Sequence, residues 1–413
     1  MKRRVVVTGL GAITPIGNSV KDFWSAIKEG KNGIDQITLF DTENFNVKIA
    51  AEIKDFKAED YLGKKDARRL DRYIQVALVS AKEAIKDSEI DLEKINRERV
   101  GVIFGSGIGG LTTLEAQIKT LATKGPNRVS PLTIPVSISN MAAGSIAIEF
   151  GILGTCISLT TACATSTHCI GEAYRSIKDG YLDRAIVGGS EASICELGIA
   201  GFQSLTALSS SNDKNRASIP FDKDRNGFVM GEGAGTLILE DLELAQKRGA
   251  KIYCEVVGYG TTCDAYHMTS PDLTGDGAFR AMRDAINDAG ILSSEIGYIN
   301  AHGTSTEIND KVETVAIKKA LGDDYLKVPV SSTKSMTGHL LGAAGAIEAI
   351  ISIKAMEDSF LPPTINYVNK DDECDLNLIV NQGRDKDIKY SMSNSLGFGG
   401  HNGTLIFKKW REE

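Results

Sequence analysis

The sequence predicts an α/β protein assembled from two copies of one strand–helix unit. Two observations predict it. At 413 residues the chain is too long for one small core. Its first-half pattern also begins again near residue 251: Lys251-Ile-Tyr-Cys-Glu-Val-Val-Gly-Tyr-Gly260 echoes the opening strand and its glycines, and Gly403-Thr-Leu-Ile-Phe407 answers Gly235-Thr-Leu-Ile-Leu239. The expected division is 1–250 and 251–413. Each half is expected to carry its own parallel sheet, with crossover helices.

The opening stretch, Arg4-Val-Val-Val-Thr-Gly-Leu-Gly-Ala-Ile-Thr-Pro-Ile-Gly17, reads as a strand running into a glycine-rich turn. It is not a dinucleotide site: Gly9-x-Gly11-x-x-Thr14-Pro15 lacks the third glycine, and Pro15 is poorly placed for a helix that cradles a pyrophosphate. Tight packing at the strand end accounts for the glycines better. Apolar Ile74, Ala77, Leu78, Ala81 and Ile85 mark one face of a helix over 73–85, followed by the strand Arg99-Val-Gly-Val-Ile-Phe104. Just upstream, Lys64, Lys65, Arg68, Arg69 and Arg72 recur at helical spacing, either a solvated face or a docking patch for an acidic partner.

Next comes Cys156-Ile-Ser-Leu-Thr-Thr-Ala-Cys163-Ala-Thr-Ser-Thr-His168, read as a buried strand, a turn and a helix start. Cysteines in such chains are commonly small buried hydrophobes. At a helix N-terminus, however, backbone N–H groups and the macrodipole favour a thiolate, and Cys163 is expected there. Arg184–Ala192 and Gly233–Glu240 are further strands. In the second half, Ala278, Met282, Ala285, Ile286 and Ala289 repeat the helix face, and Ile296–Gly303 repeats the strand. Val328–His339, followed by a helix rich in alanine and glycine, takes the place of the Cys163 segment. The duplication therefore brings Cys163, the His302 turn, the Lys334–His339 segment and Phe398 toward one pseudo-twofold axis.

Composition excludes several classes. A net charge of −7 argues against a general nucleic-acid binder, and no run approaches eighteen apolar residues. The N-terminus lacks a signal-peptide pattern, so a cytoplasmic protein is expected. Seven cysteines, at 156, 163, 169, 195, 254, 263 and 374, form no CxxC pair and are expected as free thiols.

Five histidines are present: 168, 267, 302, 339 and 401. His302 lies in the turn Asn300-Ala-His-Gly-Thr-Ser-Thr306, and His339 follows Lys334-Ser-Met-Thr-Gly338. Neither has metal-triad spacing, so no metal is expected. Two neutral imidazoles beside a nucleophilic cysteine suit a reaction that develops an oxyanion or enolate. Lys334 and Glu348 read as a structural ion pair, as a group that sets the electrostatics of His339, or both. In Ser393-Asn-Ser-Leu-Gly-Phe398-Gly-Gly-His-Asn402, one aromatic ring sits among glycines. This is an ordinary turn or a hinge whose amide is aimed at an oxyanion.

The motifs Thr161-Ala-Cys163, Asn300–Thr306, Ser332-Thr-Lys-Ser-Met-Thr-Gly-His339-Leu-Leu-Gly-Ala-Ala-Gly345 and Gly397-Phe-Gly-Gly400 together resemble the β-ketoacyl-[acyl-carrier-protein] synthases of the thiolase-like superfamily, most closely those of the synthase II type. The resemblance spans essentially the whole chain. It implies a five-layered α-β-α-β-α fold from two duplicated halves, a homodimer, and a Cys163–His302–His339 catalytic set with the Cys163 and Phe398 amides as oxyanion hole. The implied reaction condenses acyl-carrier with malonyl-carrier to 3-oxoacyl-carrier, carbon dioxide and free carrier in type II fatty acid elongation. No cofactor is implied beyond the carrier's phosphopantetheine. The resemblance leaves room for a bound monovalent cation, to which the sequence assigns no ligands. By the same resemblance Lys334 and Glu348 support the site, Asp310 and Glu313 lie behind it, Thr304 and Thr306 meet the pantetheine arm, and Ile108 and Phe202 line the acyl pocket. Lys65, Arg68 and Arg69 match the carrier-docking surface. Thr206 stands where some members carry a docking arginine, which shifts weight to Arg128 or the 64–72 patch.

Three other readings fit the residues less well. A degradative thiolase needs a second catalytic cysteine, and Cys374 lies in the charged stretch Asp371-Asp-Glu-Cys-Asp375. An initiating synthase would pair cysteine with His and Asn. A noncatalytic chain-length-factor-like partner would not need Cys163, His302 and His339 intact. The alternative within the same family is a ketosynthase of a specialised polyketide or lipid pathway.

Overall fold

In a computed structural model, which describes residues 2–411, ten strands form one continuous hydrogen-bonded array. They are β1 (Val5–Ile13), β2 (Val100–Gly105), β3 (Cys156–Ile157), β4 (Arg184–Glu191), β5 (Gly233–Asp241), β6 (Cys254–Cys263), β7 (Ile296–Asn300), β8 (Val330–Ser331), β9 (Tyr390–Gly397) and β10 (His401–Lys409). Their spatial order is β8-β7-β9-β10-β6-β1-β5-β4-β2-β3. The duplication is explicit in that order, since β1, β5, β4, β2 and β3 correspond to β6, β10, β9, β7 and β8.

Two expectations about the sheets are corrected. They are mixed rather than parallel: β5 runs antiparallel to β1 and β4, and β10 antiparallel to β6 and β9, while the outer pairs are parallel. Only Phe398–Gly400 separates β9 from β10, and a three-residue link can reverse a strand but cannot supply a parallel crossover. The two halves are also not separate sheets, because Val5–Val7 pair with Cys254–Val256 across the middle.

Helices complete five layers. α1 (Arg72–Ser88) and α2 (Met141–Phe150) cover the outer face of the first five strands. α3 (Thr165–Lys178) and, later in the chain, α6 (Ala344–Asp358) lie between the halves and touch strands of both. α4 (Asp276–Ala289) and α5 (Glu307–Leu321) form the opposite outer layer, α4 packing on the second five strands and α5 on α4. A helix in the central layer has no solvent face, and α6 is accordingly buried almost all round, by Ile347, Ile350, Ile351 and Ile353 among small residues. No helix among the described residues is long and apolar enough to cross a membrane.

The paired glycines serve the tight packing expected of them, although they lie within the strand and not in a turn after it. β1 runs through Gly9 and Gly11 without turning, and a Cβ on Gly11 would sit 1.9 Å from the Ser80 carbonyl oxygen of α1. Gly260 on β6 repeats this against Ala281 of α4, also at 1.9 Å. Close strand–helix contact therefore explains both pairs.

The basic stretch is likewise redistributed. Lys64, Lys65, Arg68 and Arg69 are exposed on the helix Ala58–Arg69, which is interrupted at Gly63. Arg72 leaves that face: its guanidinium makes two 2.7 Å hydrogen bonds to buried Glu232.

Gly11→Ala and Gly260→Ala should each lower stability by about 3 kcal/mol or more through overpacking. Gly201→Ala, in the helix Glu196–Ser204 with open space around the new methyl, should raise it by roughly 0.5–1 kcal/mol. Thermal and denaturant unfolding of the three variants measures the contrast.

Candidate active site

Cys163 lies in a short 3₁₀ turn, Ala162–Ala164, that leads into α3. Its counterpart in the second half is the turn Leu341–Ala343, which leads into α6. Both turns open on a non-glycine residue in the left-handed region, Ala162 at φ 50° and Leu341 at φ 48°. Strain of this kind, held in duplicate at the starts of the two central helices, marks the place where the halves meet. There α3 and α6 touch through Ser166, whose hydroxyl accepts from the Ala346 amide at 2.9 Å. Thr167 sits where a Cβ on Gly345 would lie 2.0 Å from its Oγ1.

A cavity of about 610 Å³ opens onto this meeting point. Cys163, His302, His339 and Phe398 all line it, together with Thr304, Thr306, Ile108 and Phe202. The segment before Cys163 differs from the expected buried strand. Cys156 and Ile157 form an exposed edge strand, and Leu153 nearby is 70% exposed.

The state of the thiol also differs from the expected thiolate. Burial pushes Cys163 up to about 12, although the Lys334 charge and a hydrogen bond from the Phe398 amide act the other way. Desolvation of an anion outweighs one turn of helix dipole and a single donor. Cys163 therefore rests as a thiol.

Burial acts on the histidines with the opposite sign. His302 and His339 are both held well below 6.5, by desolvation first and then by the Lys334 charge, so both are neutral. Their tautomers follow from their neighbours. The Lys334 ammonium, which can only donate, lies 3.4 Å from His302 Nδ1 and donates to the His302 carbonyl at 2.6 Å. The Leu341 amide donates to His339 Nδ1 at 3.3 Å. Each Nδ1 is thus an acceptor, and each Nε2 carries a hydrogen. His339 Nε2 is buried and has no partner among the described residues. The two rings stand 5.3 Å apart, nearly perpendicular, and Phe228 packs edge-on against His339 at 5.2 Å.

Behind the pocket, Lys334 is 1% exposed and does not line the cavity, and it ion-pairs with Glu348. Glu313 accepts the His302 and Gly303 amides at 2.8 Å each and so fixes that turn. Desolvation lifts both carboxyls, Glu313 and Glu348, to about 7. Asp310 is further back. It accepts the Phe221 amide at 2.8 Å and faces Arg225 at 3.6 Å. Lys65, Arg68, Arg69 and Arg128 are exposed and lie outside the cavity lining.

Three residues of the site received no role from the sequence. Phe228 was one aromatic among thirteen phenylalanines. Arg225 braces the pocket wall by donating to the Thr306 and Glu307 carbonyls. His168 lies within bonding reach of Thr161 Oγ1 at 2.7 Å and of the Asn402 carbonyl at 3.2 Å, tying the turn before Cys163 to β10. Its proximity to Cys163 in sequence was the only available clue.

Among the described residues no cluster of three or more His, Cys, Asp or Glu is placed to hold a metal. A set of buried oxygens without partners does exist: Asn300 Oδ1 and Ser393 Oγ, on register-paired positions of β7 and β9, and Glu348 Oε2 on the adjoining α6. An all-oxygen set suits a hard monovalent cation and not a transition metal.

Two pseudo-symmetric five-stranded halves, with a buried thiol lining one cavity with two neutral imidazoles where their central helices meet, define a protein of the thiolase-like class. Residues 2–245 match the family described as β-ketoacyl synthase, N-terminal domain, and residues 253–368 match β-ketoacyl synthase, C-terminal domain. The chain is 52% identical over 408 residues to a protein of Staphylococcus aureus (strain COL) named 3-oxoacyl-[acyl-carrier-protein] synthase 2, covering 99% of both. It is 51% identical over 411 residues to one of the same name from Synechocystis sp., with 99% coverage of each. Among solved structures, a β-ketoacyl synthase from Burkholderia phymatum superposes with a TM-score of 0.92 at 34% identity. A type II PKS acyl-carrier protein in complex with its ketosynthase bound to the hexaketide gives 0.92 at 36%; both matches cover 100% of each chain. The chain belongs to the β-ketoacyl synthase family.

Because burial makes Cys163 a weaker acid, it should be alkylated by iodoacetamide at a rate still climbing between about pH 7 and 10. A rate already level at neutral pH would show a thiolate instead. Peptide mass spectrometry separates Cys163 from exposed Cys156 and Cys263.

Proposed function

We propose that the protein condenses acyl-carrier with malonyl-carrier to give 3-oxoacyl-carrier, carbon dioxide and free carrier, the chain-extending step of type II fatty acid biosynthesis. The observation that carries this reading is Cys163 lining one cavity with two neutral imidazoles, His302 and His339. Relatives named for this reaction at 52% and 51% identity support it.

The steps follow from the groups present. Cys163 sulfur attacks the acyl thioester carbon, and the carbonyl oxygen takes up charge between the Cys163 and Phe398 amides. The bond to the pantetheine sulfur breaks, and the thiol proton of Cys163 leaves on that sulfur. Malonyl-carrier then enters. His302 and His339 donate through Nε2 to its thioester oxygen, which becomes an enolate as carbon dioxide departs. Neutral donors suit this role because they neither repel Lys334 nor surrender the proton outright.

The enolate carbon attacks the acyl-Cys163 carbonyl. A carbon–carbon bond forms, the bond to Cys163 breaks, and the released thiolate takes a proton from solvent, the one proton that the overall reaction consumes. Lys334, paired with Glu348, holds the His302 tautomer, while Glu313 fixes the turn that carries it and Asp310 braces the wall through Phe221. Thr304 and Thr306 take the pantetheine arm, and Ile108 and Phe202 take the acyl chain. A monovalent cation, where one binds, would be held by Asn300, Ser393 and Glu348 and would supply a fixed positive charge there. No other cofactor is needed beyond the carrier's arm.

Lys65, Arg68, Arg69 and Arg128 form the docking surface for the acidic carrier, and their exposure supports that role. The halves divide at 1–250 and 251–413, and the protein works in the cytoplasm as a homodimer. The exposed edge strand β3 supports the dimer, accompanied as it is by Ile148 at 81% exposure on the helix packed beside it and Leu153 at 70% just before it in the chain.

Intact-protein mass spectrometry after adding dodecanoyl-carrier, then malonyl-carrier, tests the reading. The wild type should gain one dodecanoyl group and then release a 3-oxotetradecanoyl-carrier, Cys163→Ala should gain nothing, and the wild type should sediment at twice 44.3 kDa. An unacylated wild type that instead binds a partner synthase would replace this reading with the noncatalytic one.

A further inference from the structure

Behind the wall that Ile108 contributes to the cavity lies a carboxylate for which the chemistry above has no use. Glu191, at the end of β4, is fully buried. Its hydrogen-bond partners are two hydroxyls and three backbone amides, with no cation among them. Oε1 accepts from Ser106 Oγ at 3.0 Å, the Ile108 amide at 3.2 Å and Ser193 Oγ at 3.3 Å. Oε2 accepts from the amides of Gly107 at 2.8 Å and Gly342 at 3.0 Å. Burying a carboxylate is costly, and a fan of five donors is what offsets it.

Four of the five donors, Ser106, Gly107, Ile108 and Gly342, come from two places that matter for catalysis. Gly107 and Ile108 belong to the loop after β2 that lines the cavity, and Gly342 follows Leu341, whose amide sets the His339 tautomer. The contact leaves no slack. A Cβ on Gly342 would lie 2.3 Å from the Gly107 nitrogen and 2.8 Å from Glu191 Oε2. One carboxylate thus fixes both the hydrocarbon side of the pocket and the turn beside the second histidine.

Resting on the condensing function above, we propose that Glu191 is a positioning residue that sets the chain-length preference by pinning Ile108, and that its second oxygen links this wall to the His339 turn. The two oxygens divide the labour, and that division makes the role testable. In Glu191→Gln, the amide oxygen takes the Oε2 place, where both donors are backbone N–H groups. The new NH₂ then faces Ser106 and Ser193, whose hydroxyls rotate to accept, and the Ile108 amide, which cannot. The substitution therefore releases Ile108 while the Gly342 turn stays held. Ser106→Ala removes one donor from the same oxygen and loosens the same wall more gently.

The experiment compares wild type, Glu191→Gln and Ser106→Ala by thermal unfolding, by Cys163 acylation rates with octanoyl- and hexadecanoyl-carrier, and by carbon dioxide release from malonyl-carrier. In folded Glu191→Gln the ratio of hexadecanoyl to octanoyl acylation should rise about tenfold, with carbon dioxide release within a factor of about three of wild type. Ser106→Ala should shift the ratio in the same direction by less, and it carries the test alone if Glu191→Gln does not fold. An unchanged ratio, or equal losses for both chains and for carbon dioxide, would overturn the proposal while leaving the condensing function intact. A wild type that neither acylates nor releases carbon dioxide would overturn both.

Discussion

The starts of α3 and α6 approach so closely that Gly345 has no room for a Cβ beside Thr167, and the site depends on that contact. Each helix is entered through a strained 3₁₀ turn, one bearing Cys163 and the other following His339. Pressing the two helix starts together therefore presents thiol and imidazole to one cavity from opposite halves of the chain. The glycines of β1 and β6 serve the same end, since they let the outer helices seat close against the sheets that flank the central layer. The 3-pair ladder between β1 and β6 then locks the halves in register.

Burial sets the electrostatics of the site. Removing water pushes Cys163 toward the thiol and both histidines toward the neutral form, so no reacting group rests charged. The Lys334 ammonium, beside both histidines, is taken up by the His302 backbone and by Glu348. Such a site meets charge only as the reaction creates it, and there fixed N–H donors in a dry cavity are most effective. Carboxylates at the back, Glu313 and Glu191 above all, hold turns in place by gathering backbone amides and do not contact the cavity themselves.

What could be read in the sequence was whatever short-range pattern encodes. The repeat of Gly235–Leu239 in Gly403–Phe407 announced two halves, and helical spacing located α1 and α4 within a few residues. Turn motifs named Cys163, His302 and His339 because small residues on either side left few other jobs for them. Strand direction was not legible, since alternation looks the same in parallel and antiparallel strands. The protonation of Cys163 depended on burial by segments more than a hundred residues away. Arg72 left its basic neighbours for Glu232, and His168 found Asn402, for the same reason: the partner that decides such a residue's role lies far along the chain.

The division of labour between thiol and imidazoles is the central claim, and separating the two half-reactions tests it most directly. Acyl uptake by intact mass and carbon dioxide release from malonyl-carrier would be followed in parallel in His302→Ala and His339→Ala. The account predicts that both variants still load Cys163 with an acyl group, while carbon dioxide release falls about 100-fold or more in each. Carbon dioxide release at the wild-type rate in either variant would contradict it.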